Sequence, residues 1–165
     1  FSNLPDVKFP PILTEAIRLD YGRGIEQGRV DILPPLELDK YPAFVSDIDQ
    51  DCNEVAGIKL PDLTVPLATN TGWNLRHPCI GNQDLILGIS GGLMGWTLPF
   101  AKTKKERENN NDPRRSIEER YSSREDYITR VKNDTQVLLE QEFILEEDVF
   151  QIIDAASKRY DILTA

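Results

Sequence analysis

An α+β fold is what this sequence predicts, with β-hairpins and extended Pro-rich segments first and an amphipathic helical hairpin last. Three observations carry that reading. Short β-prone runs separated by Gly, Pro, Asn and Asp fill the first hundred positions. A polar connector, Asn109-Asn110-Asn111-Asp112-Pro113, marks a change of character. Beyond it, apolar residues recur at helical spacing. The β- and loop-rich half spans 1–100 and the helical half 113–162. The two halves are read either as one domain over 1–165 or as the C-terminal portion of a larger protein.

The elements follow in order. Phe9-Pro10-Pro11-Ile12 is an extended lead-in, because proline fixes its own φ and biases its predecessor away from helix. Ala16 to Tyr21 alternates apolar and polar, a strand pattern that stops at Gly22-Arg23-Gly24. Arg29 to Leu33 is the expected partner strand, ended by Pro34-Pro35. Gly22-x-Gly24 lacks the third glycine and the helix of a dinucleotide loop, so it reads as a turn and no cofactor is expected.

The central stretch, Tyr41 to Arg76, draws the most attention. Ala43-Phe44-Val45 and Val55-Ala56-Gly57-Ile58 flank an Asp/Asn-rich tip, Asp49 to Asn53, and predict a hairpin. Pro61 and Pro66 bar a central strand or a helix interior between them. Thr69-Asn70-Thr71-Gly72-Trp73-Asn74-Leu75-Arg76 then crowds polar side chains around one Trp. From His77 to Phe100 the periodicity is weak. Leu85 to Ile89 reads as a short strand or buried turn, and Ser90-Gly91-Gly92 as backbone passing close to something or as a surface loop.

Lys102 to Asn111 reads as a solvated connector. Ser116 with Glu119 forms a capping box, and Ser123 restarts the helix with Asp126 in its first turn. Tyr127, Val131, Asp134 and Leu138 then share a face, with Ile128 and Thr135 beside it. After a break at 141–145, Glu146 to Tyr160 is the clearest helix, with Val149, Ile152, Ile153, Ala156 and Tyr160 on one side. Its acidic start and basic end match the helix dipole.

Composition narrows the function classes. With 165 residues, 39% hydrophobic and 28% charged, the chain is long enough for a core of its own. A formal net charge of −9 argues against nucleic acid or an anionic membrane surface as partner. No apolar run approaches the roughly 18 residues of a membrane span. Cys52 and Cys79 permit one disulfide, with two thiols as the default, and one His with two distant Cys makes no zinc set.

Candidate chemistry is thin. Serine hydrolysis needs a nucleophile, a base and an orienting acid. The one histidine is His77, and Gly88-Ile89-Ser90-Gly91-Gly92, though it has the G-x-S-x-G spacing, is read as a loop and not as a nucleophile elbow. A His77–Cys79 pair would be strained by Pro78 between them. No catalytic residue is therefore assigned. Asp47, Asp49, Asp51 and Asn53 alternate like the start of a calcium loop, but Cys52 replaces the required Gly and Ile58 the distal Glu. Asx turns at a hairpin tip account for the same residues. Trp73, Asn74 and Arg76 are the binding or core-contact candidates. Arg76 beside Trp73 could clamp a carboxylate, or lock the fold through an internal ion pair, with Asp62 and Glu118 as candidate partners. The structural reading is preferred. Pro113 to Tyr121 reads either as a solvated helix start or as an intramolecular salt-bridge cluster.

A resemblance adds to this. Ala56-Gly57-Ile58-x-Leu60-Pro61, Val65-Pro66-Leu67-Ala68-Thr69-x-Thr71-Gly72-Trp73-Asn74-Leu75-Arg76 and Asp112-Pro113-Arg114-x-Ser116-Ile117-Glu118-Glu119-Arg120-Tyr121 carry it. These strings resemble the C-terminal region of the alpha/beta hydrolase domain-containing family, and the likeness runs through most of the chain. It implies a hydrolase in the full-length protein, with nucleophile and catalytic histidine upstream of the matched part. Two positions depart from the family pattern: Cys52 stands where Gly is usual, and His77 where no histidine is.

The opening Phe-Ser-Asn-Leu-Pro, without Met, reads as that of a processed or excised piece. The expectation is thus an accessory portion of an alpha/beta-hydrolase-family protein, packing beside a catalytic core supplied elsewhere and inactive alone. The alternative is a self-standing binding or assembly module. The partner is then the remainder of the parent hydrolase or a homo-oligomeric copy. A secreted or periplasmic location is compatible with the family.

Overall fold

The computed structural model describes residues 4–5, 15–44, 46–72, 74, 79 and 95–165. They fall into two compact units. One lies within Pro11–Val45; the other comprises Ser46–Ala165 with Leu4 and Pro5. Two small antiparallel sheets precede a run of helices, so the class is α+β.

In the first unit, β1 (Glu15–Asp20) pairs antiparallel with β2 (Leu36–Pro42), Glu15 opposite Pro42 and Asp20 opposite Leu36. The register shifts between Ile17 and Leu19, an irregularity that twists the ladder. The partner strand is therefore not Arg29–Leu33, as the sequence suggested. Those residues close the connection. The Asp31 carboxylate accepts the Gly24 N–H at 2.6 Å, and the Asp31 and Ile32 N–H groups both donate to the Tyr21 carbonyl. An Asp whose side chain can satisfy nearby backbone is better used in a turn than in a ladder. A single 3-10 turn, Arg23–Gln27, fills the space between. Every residue of β2 is exposed, as are Ile17 and Leu19 on β1.

In the second unit the expected hairpin over 43–58 is reduced to one bridge, Ile48 with Glu54. Its tip behaves as predicted: Asp49 Oδ1 accepts the N–H groups of Asp51 (2.8 Å) and Asn53 (3.0 Å). Val55 and Ile58 are exposed, so no buried face extends the pairing. α1 (Pro61–Thr64) places Pro61 at its first position, where the missing N–H costs nothing.

β3 (Ala68–Thr71) pairs with β4 (Trp96–Pro99), Ala68 opposite Pro99 and Thr71 opposite Trp96. The sequence reading did not propose this ladder: each strand has four residues, prolines punctuate both, and the partners are distant in the chain. Gly95 admits it. A Cβ there would stand 2.4 Å from the Thr71 carbonyl oxygen. At Gly72, by contrast, a Cβ would meet no atom of the described residues within 4 Å. The Leu85–Ile89 and Ser90–Gly92 readings lie outside the described residues.

The connector over 102–111 contains a short helix, α2 (Lys104–Asn109), capped by Thr103, whose hydroxyl accepts from Glu106 N–H. α3 (Ile117–Arg120) carries the predicted capping box, with Ser116 and Glu119 bonding reciprocally. α4 (Arg124–Glu140) starts at Ser123 and buries Tyr127, Val131, Thr135 and Leu138. α5 (Glu146–Thr164) runs one turn beyond the predicted end and buries Ala156.

α4 and α5 cover a core that includes Val65, Leu67, Phe100, Ile117 and Tyr121. Burying a side chain such as Val131 contributes about 1.5–3 kcal/mol. Tyr127 is its centre, with ring centroids of Tyr121 and Tyr160 each 5.1 Å away. The Tyr121 hydroxyl donates to the Pro66 carbonyl at 2.9 Å. Burial pushes the Tyr127 phenol up to about 12, so it stays neutral at any physiological pH. α1 is tied across the helices by Thr64, which donates to Asp134 at 2.5 Å, and by an Asp62–Arg159 ion pair. That explains an acid in the middle of the α4 stripe.

Burial separates two aromatic truncations. Tyr127→Ala, at 1% exposure, should cost about 3–5 kcal/mol in urea unfolding. Phe150→Ala, on the outer face of α5, should change stability by less than about 0.5 kcal/mol.

Candidate functional site

Of the three binding candidates, Trp73 and Arg76 lie outside the described residues, as does His77. Asn74 is described and half-buried. The proposed partners of Arg76 are engaged elsewhere: Asp62 pairs with Arg159, and a Glu118 carboxylate oxygen accepts the Lys104 N–H at 2.9 Å. Thr69, Asn70 and Thr71, from the same polar stretch, are β3 itself.

What the fold gathers instead is a buried arginine cluster. Arg114 follows Pro113, whose ring fixes φ and turns the chain so that Asp112 faces Arg114. All five guanidinium N–H groups find acceptors. Nε and Nη2 donate to the Asp112 carboxylate at 3.0 and 2.7 Å. Nη1 donates to Thr69 Oγ1 at 2.8 Å and the Leu98 carbonyl at 3.0 Å, and Nη2 to the Pro99 carbonyl at 3.3 Å. Asp112 and Arg114 are each only 5% exposed. One side chain thus joins β3, β4 and the approach to α3.

Arg120 makes the second half of the cluster. It grips both oxygens of buried Asp51, with Nη1 to Oδ2 at 2.7 Å, while its Nε donates to the Arg115 carbonyl. Both guanidinium groups lie over the Phe100 ring, 5.1 Å from its centroid for Arg114 and 4.1 Å for Arg120. Of the two readings of Pro113–Tyr121, the intramolecular salt-bridge cluster describes its geometry. The signal was present in Asp112-Pro113-Arg114, but nothing local named Thr69 and Asp51 as partners 45 and 69 residues away.

The acidic alternation at 47–53 is drawn into the same network. Asp47 accepts the Ile48 N–H, Asp49 holds the tip, and Asp51 is held by Arg120. Asn53, fully buried, donates to the Ala68 carbonyl at 3.1 Å and accepts the Asn70 N–H at 2.7 Å. Thr69 Oγ1 donates to the Asp51 carbonyl at 2.5 Å. The four side chains suggested for calcium are therefore each engaged by an internal partner. Among the described residues no group of His, Cys, Asp or Glu is placed to hold a metal ion.

Cys52 sits on this loop with φ of +61°, in the left-handed region where glycine is at ease. That is the position at which the resemblance calls for Gly. Burial raises the Cys52 thiol above its ordinary value, which keeps it protonated and a poor nucleophile. Cys52 and Cys79 are not joined by a disulfide. A cavity of about 380 Å³ lies beside the cluster, walled by Leu98, Phe100 and Leu163 with Lys102 and Asn110 among its polar residues. Arg114 also lines it, but its donors are all committed. The arrangement is suited to holding backbone in place.

Two substitutions test that reading. Arg114→Lys keeps the charge but cannot reach five acceptors, and should cost about 3–5 kcal/mol in denaturant unfolding with helix content retained below the transition. Cys52→Gly should leave stability unchanged or raise it by up to about 1 kcal/mol, whereas Cys52→Val should lower the midpoint, since a β-branched residue resists positive φ.

A family model described as alpha/beta hydrolase domain matches residues 21–154, well over half of the chain. No curated protein and no solved structure matches the chain. The matched span runs from just after β1 through Arg114 and Arg120 into the first half of α5. This chain belongs to the alpha/beta hydrolase domain family.

Proposed function

We infer that this chain serves as a non-catalytic accessory portion of an alpha/beta-hydrolase-family protein, packing beside a catalytic core supplied elsewhere. The observation that carries it is the commitment of the buried polar groups among the described residues. Asp51 and Asp112 are spent on Arg120 and Arg114, and buried Thr69 and Ser116 on backbone and capping bonds. A hydrolytic site needs a nucleophile, base and acid left poised for substrate. The sequence offers one histidine, His77, and one string with G-x-S-x-G spacing, Gly88-Ile89-Ser90-Gly91-Gly92, and the assay below tests both directly.

The β1–β2 hairpin supports the same reading. Its strands expose Ile17, Leu19, Leu36 and Leu38, and two strands alone are marginally stable in water. Such a hairpin is suited to a covering surface, which a hydrolase core would provide. Trp73, Asn74 and Arg76 remain the proposed contacts from the central stretch.

The test is an esterase assay of the purified 165-residue chain with p-nitrophenyl acetate. Hydrolysis at the buffer rate is expected, with no labelling by a fluorophosphonate probe. Turnover that His77→Ala, Ser90→Ala or Cys79→Ala abolishes would overturn the non-catalytic reading.

A further inference from the structure

We propose that the outer face of α5 is a self-association surface that closes two copies of this chain into an antiparallel two-fold dimer. Within the Ser46–Ala165 unit, Phe150 and Ile162 are the two most exposed large hydrophobic residues described, at 76% and 73%. Isolated apolar residues on a surface are ordinary. These two are not isolated. With Asp154 and Lys158 they stand at four-residue intervals, forming one i±4 row about 18 Å long from end to end. Rows of that kind are the ridges by which helices pack against each other.

The order along the row is apolar, acid, base, apolar, and it is complementary to its own reverse. A two-fold axis at the middle of the row, between Asp154 and Lys158, sets Phe150 against Ile162 of the partner subunit and Asp154 against Lys158 of the partner subunit, each contact occurring twice. Asp154 and Lys158 already pair within the helix at 2.6 Å, with Lys158 largely and Asp154 partly exposed. In the dimer they become an alternating cluster of four charges.

Charge argues for a second copy over a lipid surface. Between Lys132 and Lys158 the chain carries no Lys or Arg, while Glu140, Glu142, Glu146, Glu147 and Asp148 crowd the α4–α5 turn and the start of α5. An anionic membrane would be repelled there. The dimer is independent of the accessory reading above, since it uses neither the hairpin nor the central stretch.

Sedimentation velocity of the full chain, from about 1 µM to about 1 mM, reads the association directly. A reversible monomer–dimer equilibrium is expected. Phe150→Asp should leave only monomer, with far-UV circular dichroism and melting unchanged because the residue is exposed. Asp154→Lys and Lys158→Asp each place like charges across the axis twice and should weaken the dimer about tenfold. The double swap Asp154→Lys/Lys158→Asp should restore it to within about threefold of the original. A chain that stays monomeric throughout, a dimer indifferent to the single swaps, or a double swap as weak as the singles would overturn the proposal.

Discussion

The second unit depends on one guanidinium. Arg114 is buried, and burying an unpaired charge would cost several kcal/mol, so its position is tolerable only while all its donors are met. Its acceptors come from Thr69, Leu98, Pro99 and Asp112, four places that the chain must bring together at once. The β3–β4 ladder is only four residues long in each strand, too short to specify itself. Arg114 turns the carbonyls of that ladder into ligands and thereby fixes it against the helical half.

Arg120 and Phe100 extend the same constraint. Phe100 closes the end of β4 and belongs to the apolar core, yet its ring also carries both cations. Asp51 holds Arg120, and through Thr69 and Asn53 the loop before α1 is held to β3. Polar and apolar cores are thus continuous. A substitution in one is felt in the other, since a network in low dielectric is worth most when complete. The family strings around Asp112 to Tyr121 and Val65 to Thr71 are the two sides of this one contact.

The two units differ in how they are held. The Ser46–Ala165 unit has a closed core under α4 and α5. The hairpin unit has turn hydrogen bonds through Asp20 and Asp31 but scarcely any buried side chain. Turn chemistry alone seldom holds two strands in water, so the hairpin is the less self-sufficient of the two units.

Much of this was legible in the sequence. The capping box at Ser116, the helix start at Ser123, the α4 stripe through Tyr127 and Val131, the α5 stripe through Ala156, and the Asx-turn tip at Asp49 were all read correctly. Each rests on residues within four positions of one another, where spacing and short-range chemistry decide the outcome. The α+β class followed from the same local signals.

The tertiary structure decided what no local pattern could. It replaced Arg29–Leu33 by Leu36–Pro42 as the partner of β1, because Asp31 was more useful to a turn. It made β3 and β4 a ladder across a long separation, with Gly95 as the admission. It moved the focus from Trp73 and Arg76, outside the described residues, to Asp112, Arg114 and Arg120. Sequence tells which side chains want partners. Only the folded chain, by placing Thr69 and Asp51 beside those arginines, determines which partners they get, because the desolvation of a charge is settled by everything around it at once.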